Sequence, residues 1–170
     1  MHEDIGEITR CYRVTFERRS KHPMSRLWRA ITEPADIDAW MGARTKVDLR
    51  VGGEYFVDFQ GEGDGDLDGI LVRVEPERRL AYVWGSSYVE WVLEADGDGS
   101  RYTFVQNGLV DRGEDEEGLA AGWHEFFDRL DEHLDGVSRS EDEHTARWHA
   151  LKPHYRKQLD SVIRGLPATG

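Results

Sequence analysis

The longest regular pattern in the sequence runs from Thr45 to Asn107, where apolar and polar side chains alternate in six short segments. Each segment predicts a strand with one face in a core and the other in water, because successive side chains of a strand point to opposite faces. The first segment extends to Val51, just before the turn pair Gly52-Gly53, and DGDGS separates the last two segments. Six strands joined by short turns predict an antiparallel meander.

Three further elements precede the meander. Tyr12, Val14 and Phe16 alternate with polar residues between Ile8 and Arg18 and predict a seventh strand. The sequence HPMSRLWRAIT, with its proline at a first helical position, predicts a short helix, and ADIDAW predicts a second one.

A long amphipathic helix follows the strands, in the sequence AAGWHEFFDRLDEHLDG at residues 120–136. Its apolar residues form one stripe at helical spacing: Trp123, Phe126, Phe127, Leu130 and Leu134. One face of the predicted sheet is rich in aromatic residues and is the natural surface against which this stripe is buried. The order of elements therefore predicts an α+β fold, in which a curved seven-stranded antiparallel sheet is wrapped round a long C-terminal helix.

The interior between sheet and helix is the candidate site. A bent sheet wrapped round one helix presents more inward surface than the helix covers, which predicts an elongated cavity. We expect the following residues to line it: Trp40, Tyr55, Val57, Trp84, Trp91, Phe104, Gln106, Trp123 and Phe127. The aromatic residues among them would equally serve as ordinary core. Gln106 shares the inward parity of Tyr102 and Phe104 and is the polar group expected to orient a ligand.

The sequence after Gly136 predicts an additional helix. Apolar residues recur there at helical spacing: Trp148, Leu151, Tyr155, Leu159, Val162 and Leu166. We expect residues 1–136 to form the main domain and residues 137–170 a helical extension, interrupted or restarted at Pro153. The stripe can pack on the outer sheet face, over the cavity mouth or on a second subunit. The short linker favours packing within the chain, with self-association as the second option.

The charge balance excludes several classes of partner. The chain of 170 residues carries a formal net charge of −12, whereas nucleic acids and anionic membranes bind basic surfaces. Cys11 is the only cysteine, so no intrachain disulfide forms. The N-terminal sequence MHEDIGEITR is acidic and has no apolar segment. We therefore expect no signal peptide and a cytoplasmic location, as a monomer or a homodimer.

No constellation of residues predicts catalysis, a metal ion or a cofactor. Asp64 to Glu75 match the calcium-loop pattern of an EF-hand, but Pro76 excludes the helix that should follow, so we expect a hairpin turn instead. Three histidines of the extension are spaced by five residues: His144, His149 and His154. Five positions turn successive side chains about 140° apart on a helix, so this spacing predicts no shared metal site.

Five segments of the sequence, in this order, resemble the activator of heat shock protein 90 ATPase homologue family: RLWRAITEPADIDAWMG, DLRVGGEYFVDF, DGILVRVEPERRLAYVW, SRYTFVQNGL and GWHEFFDRLDEHL. The resemblance spans Ile8 to Leu134. This family belongs to the START-like (SRPBCC) superfamily, with the polyketide cyclases and the major birch pollen allergen. The resemblance implies the helix-grip fold, in which a curved seven-stranded sheet grips a C-terminal helix and encloses a hydrophobic cavity.

The helix-grip fold hosts carriers, cyclases, co-chaperones and stress proteins, so three functions stay open. The first is the binding of a small, largely apolar molecule without catalysis. The second is a co-chaperone or protein-interaction module that contacts an ATPase chaperone through the outer sheet face or the C-terminal helices. The third is a cyclase- or hydrolase-like enzyme, with His124 as the candidate acid or base at the cavity mouth.

Overall fold

Seven strands and four helices form in the part of the chain that the structure, a computed structural model, describes: residues 12–59, 66–109 and 116–165. The strands are β1 (Tyr12–Ser20), β2 (Arg44–Val47), β3 (Glu54–Asp58), β4 (Asp66–Glu75), β5 (Arg79–Trp84), β6 (Ser87–Asp96) and β7 (Gly99–Leu109). The helices are α1 (Met24–Thr32), α2 (Pro34–Met41), α3 (Glu116–Asp135) and α4 (Glu141–Gly165). The predicted order of elements is confirmed.

The strands form one antiparallel sheet in the order β1-β7-β6-β5-β4-β3-β2. Each strand from β2 to β7 pairs with the next one along the chain, as a meander requires, and β1 pairs with β7. This register places Phe104 opposite both Phe16 and Trp91, so aromatic residues line up across three strands on one face. The predicted α+β helix-grip architecture is confirmed.

The connection between β2 and β3 is longer than the alternating pattern predicts. β2 ends before Leu49, and Leu49 and Val51 have 40% and 63% of their surface exposed. Inside the loop, Arg50 N donates to Asp48 O over 2.7 Å. A Cβ atom on Gly53 would lie 1.9 Å from Asp48 O, so only glycine fits this close approach of two backbone segments. The predicted extension of the strand to Val51 is therefore wrong, because the loop forms its own backbone hydrogen bonds.

Hydrogen bonds from buried aromatic side chains join α1 to α2 and to the sheet. Trp40 Nε1 donates to Ala30 O over 2.8 Å, and the Tyr55 hydroxyl donates to Ile31 O over 3.2 Å. Two of the predicted lining residues therefore satisfy carbonyl groups at the end of α1, where a helix has none of its own donors left. α2 ends at Gly42, whose φ of +65° is a conformation that favours glycine.

α3 lies across the inner face of the sheet. Trp123, Phe127, Leu130 and Leu134 are each at most 8% exposed, and Phe126 is partly buried. Burial of each large apolar side chain contributes roughly 1.5–3 kcal/mol relative to exposure. The predicted stripe is therefore confirmed as the face by which α3 is held on the sheet.

α4 packs against α3. Trp148 Nε1 donates to Gly118 O over 3.1 Å, and a Cβ atom on Gly122 would lie 3.9 Å from the same indole nitrogen. Leu151 is buried and Tyr155 is partly buried. The Trp148 indole thus lies against α3 beside two glycines that are one turn apart, Gly118 and Gly122. α4 lies on α3 and not on the outer sheet face.

α4 continues through Pro153 as one helix, so the predicted interruption there is wrong. Proline has no N–H, and the carbonyl of His149 therefore lacks its usual helical donor. Both residues lie on the exposed side of α4, where water can bind that carbonyl and the helix can bend without loss of packing.

Ion pairs join the first part of α4 to α3. Arg129 donates to Glu125 over 2.8 Å and to Glu141 over 3.0 Å, so one guanidinium links the two helices. His144 Nδ1 lies 2.6 Å from Glu125 Oε1, and both side chains are buried. These contacts fix α4 on α3 in addition to its apolar stripe.

Candidate functional site

All nine residues predicted to line the interior are buried between the sheet and the helices. Each is at most 6% exposed: Trp40, Tyr55, Val57, Trp84, Trp91, Phe104, Gln106, Trp123 and Phe127. The eight apolar ones belong to a single cluster of buried residues, and Gln106 lies on the same sheet face. The structure therefore brings the predicted residues together in one place, which we call the aromatic interior.

Strand register arranges the inward-facing residues in rows across the sheet. One row joins Tyr55, Gly69 and Trp84 by direct pairing. The next row contains Tyr82, Val89 and Gln106. A Cβ atom on Gly69 would lie 2.6 Å from Tyr55 O and 3.2 Å from Trp84 Cδ1. Glycine at this position therefore leaves the room that the Trp84 ring occupies.

The rings of the aromatic interior contact one another. The Phe127 ring centroid lies 5.0 Å from that of Phe104, 5.5 Å from that of Trp91 and 5.5 Å from that of Trp123. The centroids of Trp84 and Trp123 are 6.1 Å apart. Each such contact stabilises the core by about 0.5–1.5 kcal/mol beyond simple burial. A ligand that enters here has to separate rings that are already in contact.

Polar groups interrupt this apolar environment. Trp123 Nε1 donates to Gln106 Oε1 over 2.6 Å, and both side chains are buried. The indole N–H of Trp84 is also buried, but it has no acceptor among the described residues. A buried indole usually finds a partner, because its hydrogen bond to water is otherwise lost without replacement. The aromatic interior therefore contains one hydrogen-bonded pair of side chains, Gln106 and Trp123, and an unpaired indole donor on Trp84.

Several residues of the interior were not among the predicted lining set. Tyr82 stacks on Tyr55, with ring centroids 4.3 Å apart and planes 10° apart, and burial raises the pKa of both hydroxyls. Phe16 and Tyr102 are buried and contact the Phe127 ring at 5.0 Å and 5.7 Å. The alternation of apolar and polar residues along each strand indicates that Phe16, Tyr82 and Tyr102 are buried. This alternation does not show which of the buried residues lie against α3.

One end of the interior lies where β3, β5 and β7 end and β4 and β6 begin, because neighbouring strands are antiparallel. Trp84 is the last residue of β5, and Phe59 directly follows β3. The Phe59 ring stacks on Phe126 of α3 with centroids 6.0 Å apart. We call this end, with Phe59, Trp84, Gln106, Trp123 and Phe126, the strand-end side of the interior.

An ion-pair network closes the opposite end. Arg18, on the inward face of β1, lies 5.7 Å over the Phe127 ring and donates to Asp128 over 2.8 Å and to Asp131 over 3.1 Å. Burial acts to raise the pKa of Asp128, but hydrogen bonds from Arg147 and Arg18 outweigh it and hold that pKa below its usual value. The Arg18 charge is therefore compensated within the protein.

His124, the candidate acid or base, lies at the junction of β1, α3 and α4. Its Nδ1 lies 2.7 Å from the Tyr155 hydroxyl, its Nε2 lies 3.4 Å from an Arg147 nitrogen, and its ring centroid is 6.1 Å from that of Phe16. Partial burial and the nearby Arg18 guanidinium lower the pKa of the imidazole. These contacts attach α4 to the rest of the protein.

The calcium-loop pattern falls on a strand. Asp66–Glu75 forms β4, so a strand stands where an EF-hand requires a loop and the start of a helix. The hairpin turn expected here therefore does not include Asp66 to Gly69, and Asp64 lies outside the described residues. Within the described ranges, no three His, Cys, Asp or Glu side chains are grouped so as to hold a metal ion. Nor does any helix in those ranges have the length and apolar character needed to cross a membrane.

Comparison with known proteins agrees with this fold. The chain matches the family model of the Activator of Hsp90 ATPase homolog 1-like protein over residues 21–135. No curated protein matches it significantly. Among solved structures it is similar to MLL2253 from Mesorhizobium loti, with 28% identity, a TM-score of 0.66 and coverage of 75% of this chain and 100% of that one.

Two further solved structures are similar to the chain. CalU16 from Micromonospora echinospora is 25% identical, with a TM-score of 0.69 and coverage of 85% of this chain and 86% of that one. DynU16, from the dynemicin biosynthetic locus, is 27% identical, with a TM-score of 0.64 and coverage of 72% of this chain and 47% of that one. Because the family model spans more than half of the chain, the protein belongs to the family of Activator of Hsp90 ATPase homolog 1-like proteins, within the START-like (SRPBCC) superfamily.

Proposed function

We propose that the protein binds a small, largely apolar molecule in the aromatic interior between the sheet and α3. The observation that carries the proposal is the polar pair of Gln106 and Trp123 within a cluster of aromatic rings. Ligand sites of this kind combine apolar walls with a few fixed polar groups that orient the ligand. The nine lining residues include no carboxylate, histidine or cysteine, so the proposed function is binding without chemistry on the ligand.

The strand-end side is the proposed entrance. At the opposite end, Arg18 is bonded to Asp128 and Asp131, and separating partly buried charges costs several kcal/mol in typical proteins. On the strand-end side, the rings of Trp84 and Trp123 are held together by a contact worth only about 0.5–1.5 kcal/mol. Entry between these two rings therefore requires the smaller rearrangement.

The relatives support a small-molecule ligand. DynU16 belongs to a biosynthetic locus, and such loci encode proteins that make or handle small molecules. The superfamily resemblance implies a hydrophobic cavity in the same position. The lining residues then set the ligand class, because aromatic walls with one polar pair favour a largely apolar molecule.

Titration with 1-aminoanthracene, an uncharged apolar dye that fluoresces more strongly in apolar surroundings, tests the proposal. The wild type should bind the dye saturably at one site. Trp123→Ala should bind it at least about tenfold more weakly, which corresponds to about 1.4 kcal/mol, because the variant loses both the ring and the polar pair. Circular dichroism establishes that each variant is folded at the temperature of the titration.

Phe56→Ala is the matched control for this titration. Phe56 lies on the outward parity of β3, where Lys46 Nζ is 5.4 Å from its ring centroid, so its loss should change the dye affinity by less than about twofold. A folded wild type without saturable binding contradicts the proposal. So does a dye affinity that depends on Phe56 and not on Trp123.

A second candidate function, a protein-interaction module of the kind that the family description names, is favoured by the outer sheet face. Ile70, Val72 and Val83 are 59%, 42% and 39% exposed, and Ile70 pairs directly with Val83. Exposed apolar side chains on neighbouring strands are typical of protein contacts. An ATPase assay with purified heat shock protein 90 tests it: stimulation that Val83→Lys abolishes supports this function, and the absence of stimulation by the wild type contradicts it.

A further inference from the structure

The Trp84 indole N–H is a buried donor for which the described residues provide no acceptor. Only 6% of the residue is exposed, and its ring centroid lies 5.6 Å from that of Tyr82 and 6.1 Å from that of Trp123. Such a donor has lost its hydrogen bond to water and has gained none in return. Native proteins retain few groups of this kind, and a ligand that supplies the missing partner is one physical reason to retain one.

Position and surroundings distinguish Trp84 from Trp91, whose indole N–H interacts with the Tyr82 hydroxyl. Trp91 lies in the middle of β6, and its ring contacts four others: Trp40, Tyr102, Phe104 and Phe127. Trp84 ends β5 on the strand-end side, beside the proposed entrance. Gly69, directly opposite in the register, has no side chain and leaves room for the Trp84 ring. A ligand at the entrance therefore reaches Trp84 before it reaches Trp91.

We infer that Trp84 Nε1 donates a hydrogen bond to a carbonyl oxygen of a flat, uncharged aromatic ligand. This inference rests on the proposed function, because the ligand occupies the same aromatic interior. Trp84 then selects, among apolar molecules of suitable shape, those that carry an acceptor at this position. A buried donor discriminates strongly, since a ligand without an acceptor leaves it unpaired.

The charges of the protein favour an uncharged ligand. The buried residues of the described ranges include no lysine or arginine, so a carboxylate would lie in the interior without a counter-ion. Arg18, at the opposite end, is already bonded to Asp128 and Asp131. A ligand cation would face the positive end of the Trp84 N–H dipole. A carbonyl oxygen accepts the hydrogen bond without either penalty.

Fluorenone and fluorene test the inference, because they share one flat fused-ring shape and differ by a carbonyl oxygen. The chain contains six tryptophans, so isotope-labelled protein gives six indole N–H signals in nuclear magnetic resonance spectra, and Trp84→Phe identifies the Trp84 signal by its loss. Fluorenone should move that signal to lower field, and fluorene should not. Trp84→Phe should weaken fluorenone binding about tenfold more than it weakens fluorene binding, a difference of about 1.4 kcal/mol.

Trp91→Phe is the matched control, because it removes another buried indole N–H, one that lies away from the proposed entrance, and should change the affinities for both probes by the same factor. Equal weakening of both probes by Trp84→Phe overturns the inference, as does a fluorenone complex in which the Trp84 signal does not move. Both of these results leave the proposed function in place. A wild type that binds neither probe but still binds 1-aminoanthracene overturns the inference alone. A wild type that binds none of the three overturns the proposed function as well.

Discussion

Gln106→Leu removes the acceptor of Trp123 Nε1 while it keeps the side-chain volume nearly constant. The hydrogen bond is 2.6 Å long and both side chains are buried, so water does not replace the lost acceptor. A buried donor left unpaired costs about 1–3 kcal/mol. The more apolar leucine offsets roughly 1 kcal/mol of this cost. We therefore expect the free energy of unfolding to fall by up to about 2 kcal/mol.

A double-mutant cycle with Trp123→Phe separates this hydrogen bond from packing. Trp123→Phe alone leaves the Gln106 oxygen without its donor, whereas the double variant replaces both partners by apolar groups. The loss of stability in the double variant should be smaller than the sum of the single losses by about 1–2 kcal/mol. Urea unfolding followed by far-ultraviolet circular dichroism gives the four free energies, because that signal reports the backbone and not the replaced tryptophan.

Trp148→Phe provides the control cycle with Gln106→Leu. The Trp148 indole lies on α4 and donates to Gly118 O, so it has no contact with the Gln106 amide. The stability loss of the double variant should therefore equal the sum of the two single losses within about 0.5 kcal/mol. Additive losses in the cycle of Gln106 and Trp123 would refute the reasoning. They would show that the hydrogen bond adds no stability, and they would remove the observation that carries the proposed function.

Changes elsewhere in the molecule test the sheet, α4 and the junction between them. Gly69→Ala should lower the free energy of unfolding by about 1–3 kcal/mol, because the added Cβ would lie 2.6 Å from Tyr55 O. A variant as stable as the wild type would show that the strands shift easily to make room. Truncation after Gly136 removes α4 and should lower the melting temperature in calorimetry, and an unchanged value would show that α4 adds no stability. Burial and Arg18 lower the pKa of His124, so the stability that this group contributes is complete above its usual pKa of 6.5 and is lost as the pH falls through that value. Between about pH 7.5 and 5.5 the wild type should therefore lose more stability in urea unfolding than His124→Gln, and equal losses would contradict the direction of the shift.

Strand parity and the helical stripe are predictable from the sequence because both are local properties. The pleat of a strand sends successive side chains to opposite faces, so the alternation alone places Val57 and Trp91 on the inner face. The helical repeat does the same for Phe127 and Leu130 on α3. Local periodicity thus indicates which residues are buried, and the two strand residues and the two helix residues named here are all buried in the structure.

The contacts within the interior depend on residues that are distant in sequence, and the sequence pattern does not contain them. Parity shows that Gln106 faces inward, but its bond to Trp123 depends on how α3 lies over β7. The missing acceptor of Trp84 is likewise a property of the assembled interior. Such contacts follow from the three-dimensional arrangement of the elements, because no local rule of sequence says how a helix lies on a distant strand.

Two other features have a sequence signal that the predictions do not use. Arg18 shares the parity of Val14 and Phe16 on β1, which indicates an inward charge that needs carboxylate partners. Gly118 and Gly122 lie one turn apart on α3, which indicates a surface that another helix can approach closely. Each signal corresponds to a contact in the structure, with Asp128 in the first case and with Trp148 in the second; the sequence shows the need for a partner but not its identity.

Native mass spectrometry of the protein purified from its own host tests most directly whether the aromatic interior holds a small molecule. We predict a species heavier than the polypeptide by the mass of one small molecule. This added mass should be absent from Trp123→Ala and retained in Phe56→Ala, because the first ring lies in the aromatic interior and the second on the outward parity of β3. A wild type that shows the polypeptide mass alone, and that also fails to bind 1-aminoanthracene when folded, would contradict the proposed function.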